Sequence, residues 1–208
     1  MKKVFIFAEG KDDQFFVKKI NEVETLNYDV FEVGGIGNLI DEKQFIARVE
    51  AEIGELPNLS KSTIAIICDS DLCHDTRKTE IEKTLESAKK KYNCETASYL
   101  LPLQSNKENG ELEDLVLKIA EEIDQLKILK QKSEEFAAEV KEYKNPKLSS
   151  SIIAFRAMLA AKADKNDPVN KIHHAIKTNK GIGCILTEEF FAHNLLSEIK
   201  EFLKNLSN

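Results

Sequence analysis

Residues 63–71 read TIAIICDSD, in which six uncharged residues lead into two aspartates separated by a serine. Four of those six residues are β-branched, and a continuous apolar run of this length predicts a strand that is buried on both faces of a parallel sheet. Residues 4–8, VFIFA, form a second run of the same kind and end directly before Glu9. Two predicted core strands therefore each end in acidic side chains.

Outward from these two strands, the first half of the chain alternates strands with helices. Further strands are predicted over residues 28–33 and 97–103, and a polar helix over residues 75–92. After Gly10, and again after Asn38, apolar residues recur at helical spacing, and Asn38 is predicted to cap its helix. This alternation indicates βαβ crossovers, so we predict an α/β fold with an open, mostly parallel four-stranded sheet flanked by helices.

The second half of the chain has a different pattern. After Gly110, apolar residues continue at helical spacing, with interruptions, to the end of the sequence. We therefore predict an α/β domain over residues 1–120 and a C-terminal helical extension over residues 121–208 that packs on it.

The composition predicts a soluble cytoplasmic protein. Of the 208 residues, 42% are hydrophobic and 32% are charged, which supplies both a buried core and a solvated surface. The apolar runs are too short for a membrane span or a secretion signal, so we expect no membrane association. Four cysteines are too sparse for a disulfide scaffold and fit no paired zinc pattern, which favours reduced thiols in the cytoplasm.

The charge distribution is uneven. The net charge of −6 argues against a protein that coats nucleic acid by bulk electrostatics. Residues 144–181 nevertheless carry a net charge of +6. This flank predicts contacts with DNA or RNA backbone through Lys147, Arg156 and Lys162, to which Lys11 adds a fourth cation. The alternative interpretation of the flank is a solvated helical face.

The acidic residues predict a metal site. Ligands of open parallel sheets bind beyond the carboxyl ends of the strands, so Glu9, Asp69 and Asp71 converge if their strands are neighbours. In an extended segment, Asp69 and Asp71 would point to the same side, about 6–7 Å apart. Such carboxylates favour Mg²⁺, with Mn²⁺ possible, and a bound dication supplies the chemistry of phosphodiester cleavage.

The same residues resemble a known family. Residues 9–13, EGKDD, and residues 69–71, DSD, each following a strand, resemble the Toprim signature of topoisomerases, bacterial primases and OLD-type nucleases. The likeness covers about residues 1–120, a usual domain size, and is closer to small stand-alone Toprim-like proteins. It implies that Glu9 is a general acid or base, and that Asp69 and Asp71 are metal ligands together with Glu9 and with Asp13, which closes the first motif.

Two further segments fit this resemblance. Residues 34–38, GGIGN, resemble the glycine turn of OLD-like Toprim domains, and residues 110–115, GELEDL, resemble an element of the stand-alone group. The second segment implies that Glu113, beside Asp114, supplies a second metal site. For Asp13, Glu113 and Asp114 the alternative is structural, because acids are favoured in the first turn of any helix.

Three functions are compatible with the sequence. The preferred one is a Mg²⁺-dependent, nuclease-like enzyme or related phosphotransferase that acts on phosphodiester bonds of DNA or RNA. The second is a metal- and nucleic-acid-binding module without turnover of its own, which awaits a partner effector protein. A haloacid dehalogenase-like phosphohydrolase ranks below both, because its Asp-x-Asp motif normally lies on the first strand. The sequence indicates no oligomeric state.

Overall fold

The computed structural model describes residues 2–54, 59–71, 73–104, 106–141, 153–155, 157 and 187–207. The chain divides into two compact units. The first comprises Met1–Glu111 together with Ser197–Asn208, and the second comprises Leu112–Leu196.

The first unit is built on a four-stranded sheet in the order β2-β1-β3-β4. The strands are β1 (Lys3–Ala8), β2 (Asp29–Glu32), β3 (Ser62–Asp69) and β4 (Glu95–Leu101). Every neighbouring pair is parallel. The predicted α/β class and its open parallel sheet are confirmed. The four strands overlap the predicted ones, and β4 begins two residues earlier than predicted.

Helices connect these strands and continue to the C-terminus. In the first unit they are α1 (Lys11–Val23), α2 (Ile36–Ile40), α3 (Glu42–Ile53) and α4 (His74–Tyr92). The second unit contains α5 (Leu112–Glu122), α6 (Asp124–Lys141), α7 (Glu188–Phe191) and the 3₁₀ helix η1 (Asn194–Leu196). The last helix, α8 (Ser197–Asn205), belongs to the first unit.

Both faces of the sheet are covered by helices. On one face, Phe7 of β1 packs edge-on against Phe45 of α3 with ring centroids 5.3 Å apart. On the other face, the Thr63 hydroxyl of β3 donates to the carbonyl of Leu206 at 3.1 Å, directly after α8. Side chains alternate between the two faces along each strand, which is why these core strands are apolar throughout.

The helix predicted to begin at Asn38 is instead two helices, so that prediction was wrong. The helical conformation is interrupted at Asp41, whose Oδ1 accepts from the backbone N–H groups of Lys43 at 3.0 Å and Gln44 at 2.9 Å. Asn38 donates its side-chain amide to the Val33 carbonyl at 2.7 Å. Asp41 is therefore the cap, while Asn38 fixes the turn after β2.

The described part of the second unit is helical. Leu115, Val116 and Ile119 of α5 are fully buried. His193 Nε2 lies 3.0 Å from Glu122 Oε2, which links the end of α5 to the chain after α7. Within the described ranges, the chain has no helix that is both long and apolar enough to cross a membrane.

Candidate functional site

Glu9 and Asp69 lie side by side because β1 and β3 are neighbours. The backbone N–H of Glu9 donates to the carbonyl of Ile67 at 3.2 Å, which extends the β1–β3 ladder one residue beyond the strand. The backbone N–H groups of Asp69 and Ile36 are directed at the Glu9 carboxylate and favour its charged form. The expected adjacency of these two strand ends is thus present.

The Glu9 side chain is partly buried and close to other charged groups. Its Oε2 is buried and lacks a hydrogen-bond partner among the described groups. Burial, and then the charge of Asp71, raise the pKa of Glu9 above its ordinary value, although Arg77 and the two backbone donors oppose this. A carboxyl group of this kind is suited to exchanging a proton, and its orphaned oxygen can accept from a donor or bind a cation.

Asp71 does not continue the strand as the sequence suggested. Its backbone is left-handed, with φ of 51°, and its N–H donates to the Gly110 carbonyl at 3.0 Å. The preceding Ser70 donates its hydroxyl to the Glu108 carbonyl at 2.7 Å. These bonds to the loop after β4 bend the chain, so the predicted extended Asp-x-Asp geometry was wrong. Aspartate tolerates this conformation better than most residues.

Arg77 is the site residue that the sequence analysis missed. Its Nη2 contacts Asp71 Oδ2, and its Nη1 donates to Glu80 Oε2 at 3.1 Å. The side chain is only 14% exposed, and its Nε is buried without a hydrogen-bond partner among the described groups. A guanidinium therefore provides the counter-charge at Asp71 and also acts on Glu9.

One signal in the sequence could have revealed Arg77. It lies in the first turn of α4, where a cation opposes the helix dipole. A specific carboxylate partner can offset the unfavourable interaction of such an arginine with the helix dipole. Asp71, six residues earlier and three residues before the helix begins, was the available one.

The glycine turn after β2 forms the wall of the site opposite β3. Gly34 and Gly35 have φ of 80° and 110°, which side chains with a Cβ rarely adopt. The N–H of Gly35 donates to the Glu9 carbonyl at 2.9 Å. This geometry brings the next N–H, that of Ile36, to the Glu9 carboxylate.

Comparison with known proteins assigns a family to this architecture. The family model described as "Protein of unknown function (DUF3226)" matches residues 3–208. The chain belongs to the DUF3226 family. No curated protein and no solved structure matches it.

The other predicted residues of the Toprim-like first motif lie at the start of α1 in this DUF3226 protein. Asp13 is 7% exposed, and its Oδ2 accepts from the backbone N–H of Gly10 at 2.9 Å, so it closes the loop that carries Glu9. Lys11 is the first residue of the helix and is exposed. Lys11 thus remains a predicted phosphate contact at the rim of the site.

The remaining predicted residues of the DUF3226 chain lie elsewhere. Glu113 is in the first turn of α5, in the second unit, and its predicted role as a metal ligand remains a prediction. The three predicted nucleic-acid contacts of the basic flank, Lys147, Arg156 and Lys162, are outside the residues that the structure describes.

The oxygen atoms at this edge of the sheet suit a hard cation. Among the described residues there is no group of three or more His, Cys, Asp or Glu side chains placed to hold an ion. The orphaned Oε2 of Glu9 and the neighbouring carboxylates of Asp69 and Asp71 are the oxygen ligands that Mg²⁺ prefers. Asp71 is engaged by Arg77, so it must exchange that partner to join Glu9 around an ion.

Proposed function

We propose that this DUF3226 protein is a Mg²⁺-dependent, Toprim-type enzyme that acts on phosphodiester bonds of nucleic acid. The observation that carries the proposal is the parallel pairing of β1 with β3, which brings Glu9 to the Asp69 backbone and within electrostatic reach of Asp71. Ligands of open α/β sheets bind at this edge.

Each side chain has a distinct task in this proposal. Asp69 and Asp71 provide metal ligands, and Glu9 moves the proton of the attacking or leaving oxygen. The raised pKa of Glu9 supports its role, because a general acid or base works best when it titrates near the operating pH. Arg77, released from Asp71, can donate two parallel hydrogen bonds to a phosphate oxygen pair.

Magnesium, or manganese in its place, would lower the pKa of a bound water and offset charge on the phosphoryl oxygen. The protein's own contribution is to bring the Glu9 carboxylate to the backbone of Asp69 and within electrostatic reach of Asp71 at the sheet edge. Carboxylates that lie close together repel each other. A dication coordinated by them removes this repulsion, and its binding is therefore stronger.

The proposal is tested with purified protein and labelled single- and double-stranded DNA and RNA. Strand scission is measured on gels with Mg²⁺, with Mn²⁺ and with EDTA. We expect scission with either metal, none in EDTA, and none when Asp69→Asn is combined with Asp71→Asn. The four substrates decide between DNA and RNA.

A matched control removes two carboxylates elsewhere. Asp29→Asn with Glu95→Gln makes the same change in charge at exposed positions where β2 and β4 begin, opposite the candidate site. This control should keep full activity, and circular dichroism should show both double variants folded. Scission by the Asp69 and Asp71 double variant at the wild-type rate would end the proposal.

The Arg77–Asp71 pair favours one other candidate, a metal- and nucleic-acid-binding module without turnover. An acidic site that is already neutralised by an arginine is compatible with a resting state that a partner effector protein opens. This candidate predicts metal-dependent nucleic-acid binding without scission in the same assay. For either candidate the cytoplasm is the proposed location, with the buried free thiols of Cys68 and Cys94 in support.

A further inference from the structure

A second site lies at the outer edge of the sheet, where α4, β4 and α8 border a cleft of about 350 Å³. The cleft is lined by polar and aromatic side chains from distant parts of the first unit. Six of them carry the argument: His74, Lys78, Tyr99, Gln104, Lys107 and Phe202. It is distinct from the acidic site, whose carboxylates are not among its lining residues.

The cleft contains buried polar atoms that lack partners. His74 is 3% exposed and Tyr99 is 2% exposed, yet neither imidazole nitrogen nor the phenol oxygen has a hydrogen-bond partner among the described groups. The same holds for Oε1 of Gln104. Asp75 Oδ1 is 3.6 Å from His74 Nδ1, which is too long for a hydrogen bond. Folded proteins rarely leave such groups unpaired, so these groups are available to bond a ligand in the cleft.

The Tyr99 hydroxyl is held in its protonated form. Burial, and then the nearby Glu198 carboxylate, raise the pKa of Tyr99 well above its ordinary value. The Gln104 backbone is also near, but neither group meets hydrogen-bond geometry with the phenol oxygen. A ligand that enters the cleft therefore meets an O–H donor at Tyr99 and an acceptor at Gln104 Oε1.

The remaining lining residues define the rest of the ligand. Lys78 and Lys107 line the cleft and are ion-paired, Lys78 with Glu82 at 3.9 Å and Lys107 with Asp75 at 3.0 Å, but both are exposed enough, at 41% and 65%, to turn to a phosphate instead. Phe202 packs against Tyr99 with ring centroids 5.3 Å apart and provides an aromatic surface. The two lysines suit a phosphate, and the Phe202 ring suits a planar heterocycle. The cleft also offers the donor at Tyr99 and the acceptor at Gln104, so together these groups match a phosphate joined to a planar heterocycle.

We propose that this cleft binds one nucleotide, with its base against Phe202 and its phosphate at Lys78 and Lys107. The base edge is bonded by Tyr99 and Gln104, while His74 serves the sugar or the phosphate. The volume is at the small end of the range for ligand sites, which fits a single nucleotide, either free or at the end of a strand.

The test is a calorimetric titration in EDTA, so that its result is independent of the acidic site. The probes are AMP, UMP, ribose 5-phosphate and a 5′-phosphorylated pentanucleotide. We expect a nucleotide to bind at least about tenfold more tightly than ribose 5-phosphate, because stacking and the base-edge bonds are lost with the sugar phosphate. Tighter binding of the pentanucleotide than of the mononucleotides identifies a strand end as the ligand, and the reverse identifies a free nucleotide.

Two variants locate the binding. Tyr99→Phe deletes an unpartnered hydroxyl, so the free protein should be as stable as wild type while its nucleotide affinity falls about tenfold. Lys107→Gln should weaken binding of AMP and leave adenosine binding unchanged.

Tyr28→Phe is the matched control, because the Tyr28 hydroxyl donates to the Leu203 carbonyl at 3.0 Å in the same unit. It should lower stability and leave nucleotide affinity unchanged. Absence of binding by AMP, UMP and the pentanucleotide at millimolar concentration overturns the proposal. Wild-type affinity in Tyr99→Phe overturns it as well, as does equal affinity for AMP and ribose 5-phosphate.

Discussion

The guanidinium of Arg77 is bound to the carboxylate of Asp71 at the carboxyl edge of the sheet. Arg77 comes from the first turn of α4 and Asp71 from the left-handed residue that follows β3. The pair lies next to Glu9, whose pKa responds to both charges. One arginine therefore balances an acidic cluster that would otherwise repel itself, and a dication entering the cluster must compete with it.

Replacement of Arg77 should show this competition. In EDTA we expect Arg77→Gln to lower the free energy of unfolding by about 1–2 kcal/mol, because Asp71 and Glu9 lose their counter-charge. Addition of Mg²⁺ should then stabilise the variant more than it stabilises wild type. Thermal unfolding with EDTA and with Mg²⁺ measures both effects.

The control for that experiment is Arg48→Gln. Arg48 binds the Glu32 carbonyl and Glu52, each at 2.7 Å, so its loss should also lower stability. Its response to Mg²⁺ should equal that of wild type. A Mg²⁺ effect no larger in Arg77→Gln than in wild type would show that Arg77 does not compete with the metal.

Glu9 should make stability fall as the pH rises. Its pKa is raised in the folded protein, so between the unfolded value of about 4.3 and the higher folded value the folded state binds more protons than the unfolded state. Above this window, Glu9→Gln in EDTA should be more stable than wild type, and near pH 4 the two should converge. Urea unfolding at pH 4 and pH 7.5 checks the sign, and a less stable Glu9→Gln at pH 7.5 would contradict it.

Glu24 should show the opposite pH dependence. Hydrogen bonds from Lys200, at 2.8 Å, and Lys204, at 2.6 Å, lower the pKa of this carboxyl group at the end of α1. Its stabilisation is present above the unfolded value of about 4.3 and is lost as the pH falls through the folded pKa. Glu24→Gln should therefore cost up to about 1 kcal/mol at pH 7.5 and little at pH 3. A cost that does not diminish in acid would refute the electrostatic explanation.

Gly35, in the turn after β2, and Gly37, two residues later in α2, allow a matched pair of alanine substitutions. Gly35 has φ of 110°, so Gly35→Ala should cost about 1–3 kcal/mol and misplace the Ile36 N–H that reaches Glu9. Gly37 lies in α2 with a negative φ and no atom within 4 Å of an added Cβ. Gly37→Ala should be neutral or stabilising by up to about 1 kcal/mol. Denaturant unfolding of both variants is the measurement, and equal costs would disprove the backbone argument.

Much of the fold could be predicted because its cause is local. The apolar run before Asp69 is uncharged and β-branched, which favours a strand covered on both faces. The break at Asp41 could not be predicted, because the apolar spacing runs straight through it. It depends on which side chain accepts from the helix N–H groups: Asp41 accepts from Lys43, whereas the side-chain amide of Asn38 donates to the Val33 carbonyl in the turn after β2.

The candidate sites also contain some features that the sequence predicts and others that it does not. Glu9 and Asp69 were predicted together because a single rule about parallel strand ends relates them. The left-handed Asp71 depends on Gly110, about forty residues later, and the nucleotide cleft joins His74 to Tyr99 and Phe202. Such relationships arise from tertiary packing, which no spacing in one sequence encodes.

The most direct test of the central claim is metal binding at the acidic edge. Mn²⁺ is titrated into the protein, and the loss of its free-ion electron paramagnetic resonance signal reports binding. Wild type and the Asp29→Asn, Glu95→Gln control should bind Mn²⁺, and Mg²⁺ should displace it. Asp69→Asn with Asp71→Asn should leave the added Mn²⁺ free, whereas equal binding by this variant and wild type would contradict the account.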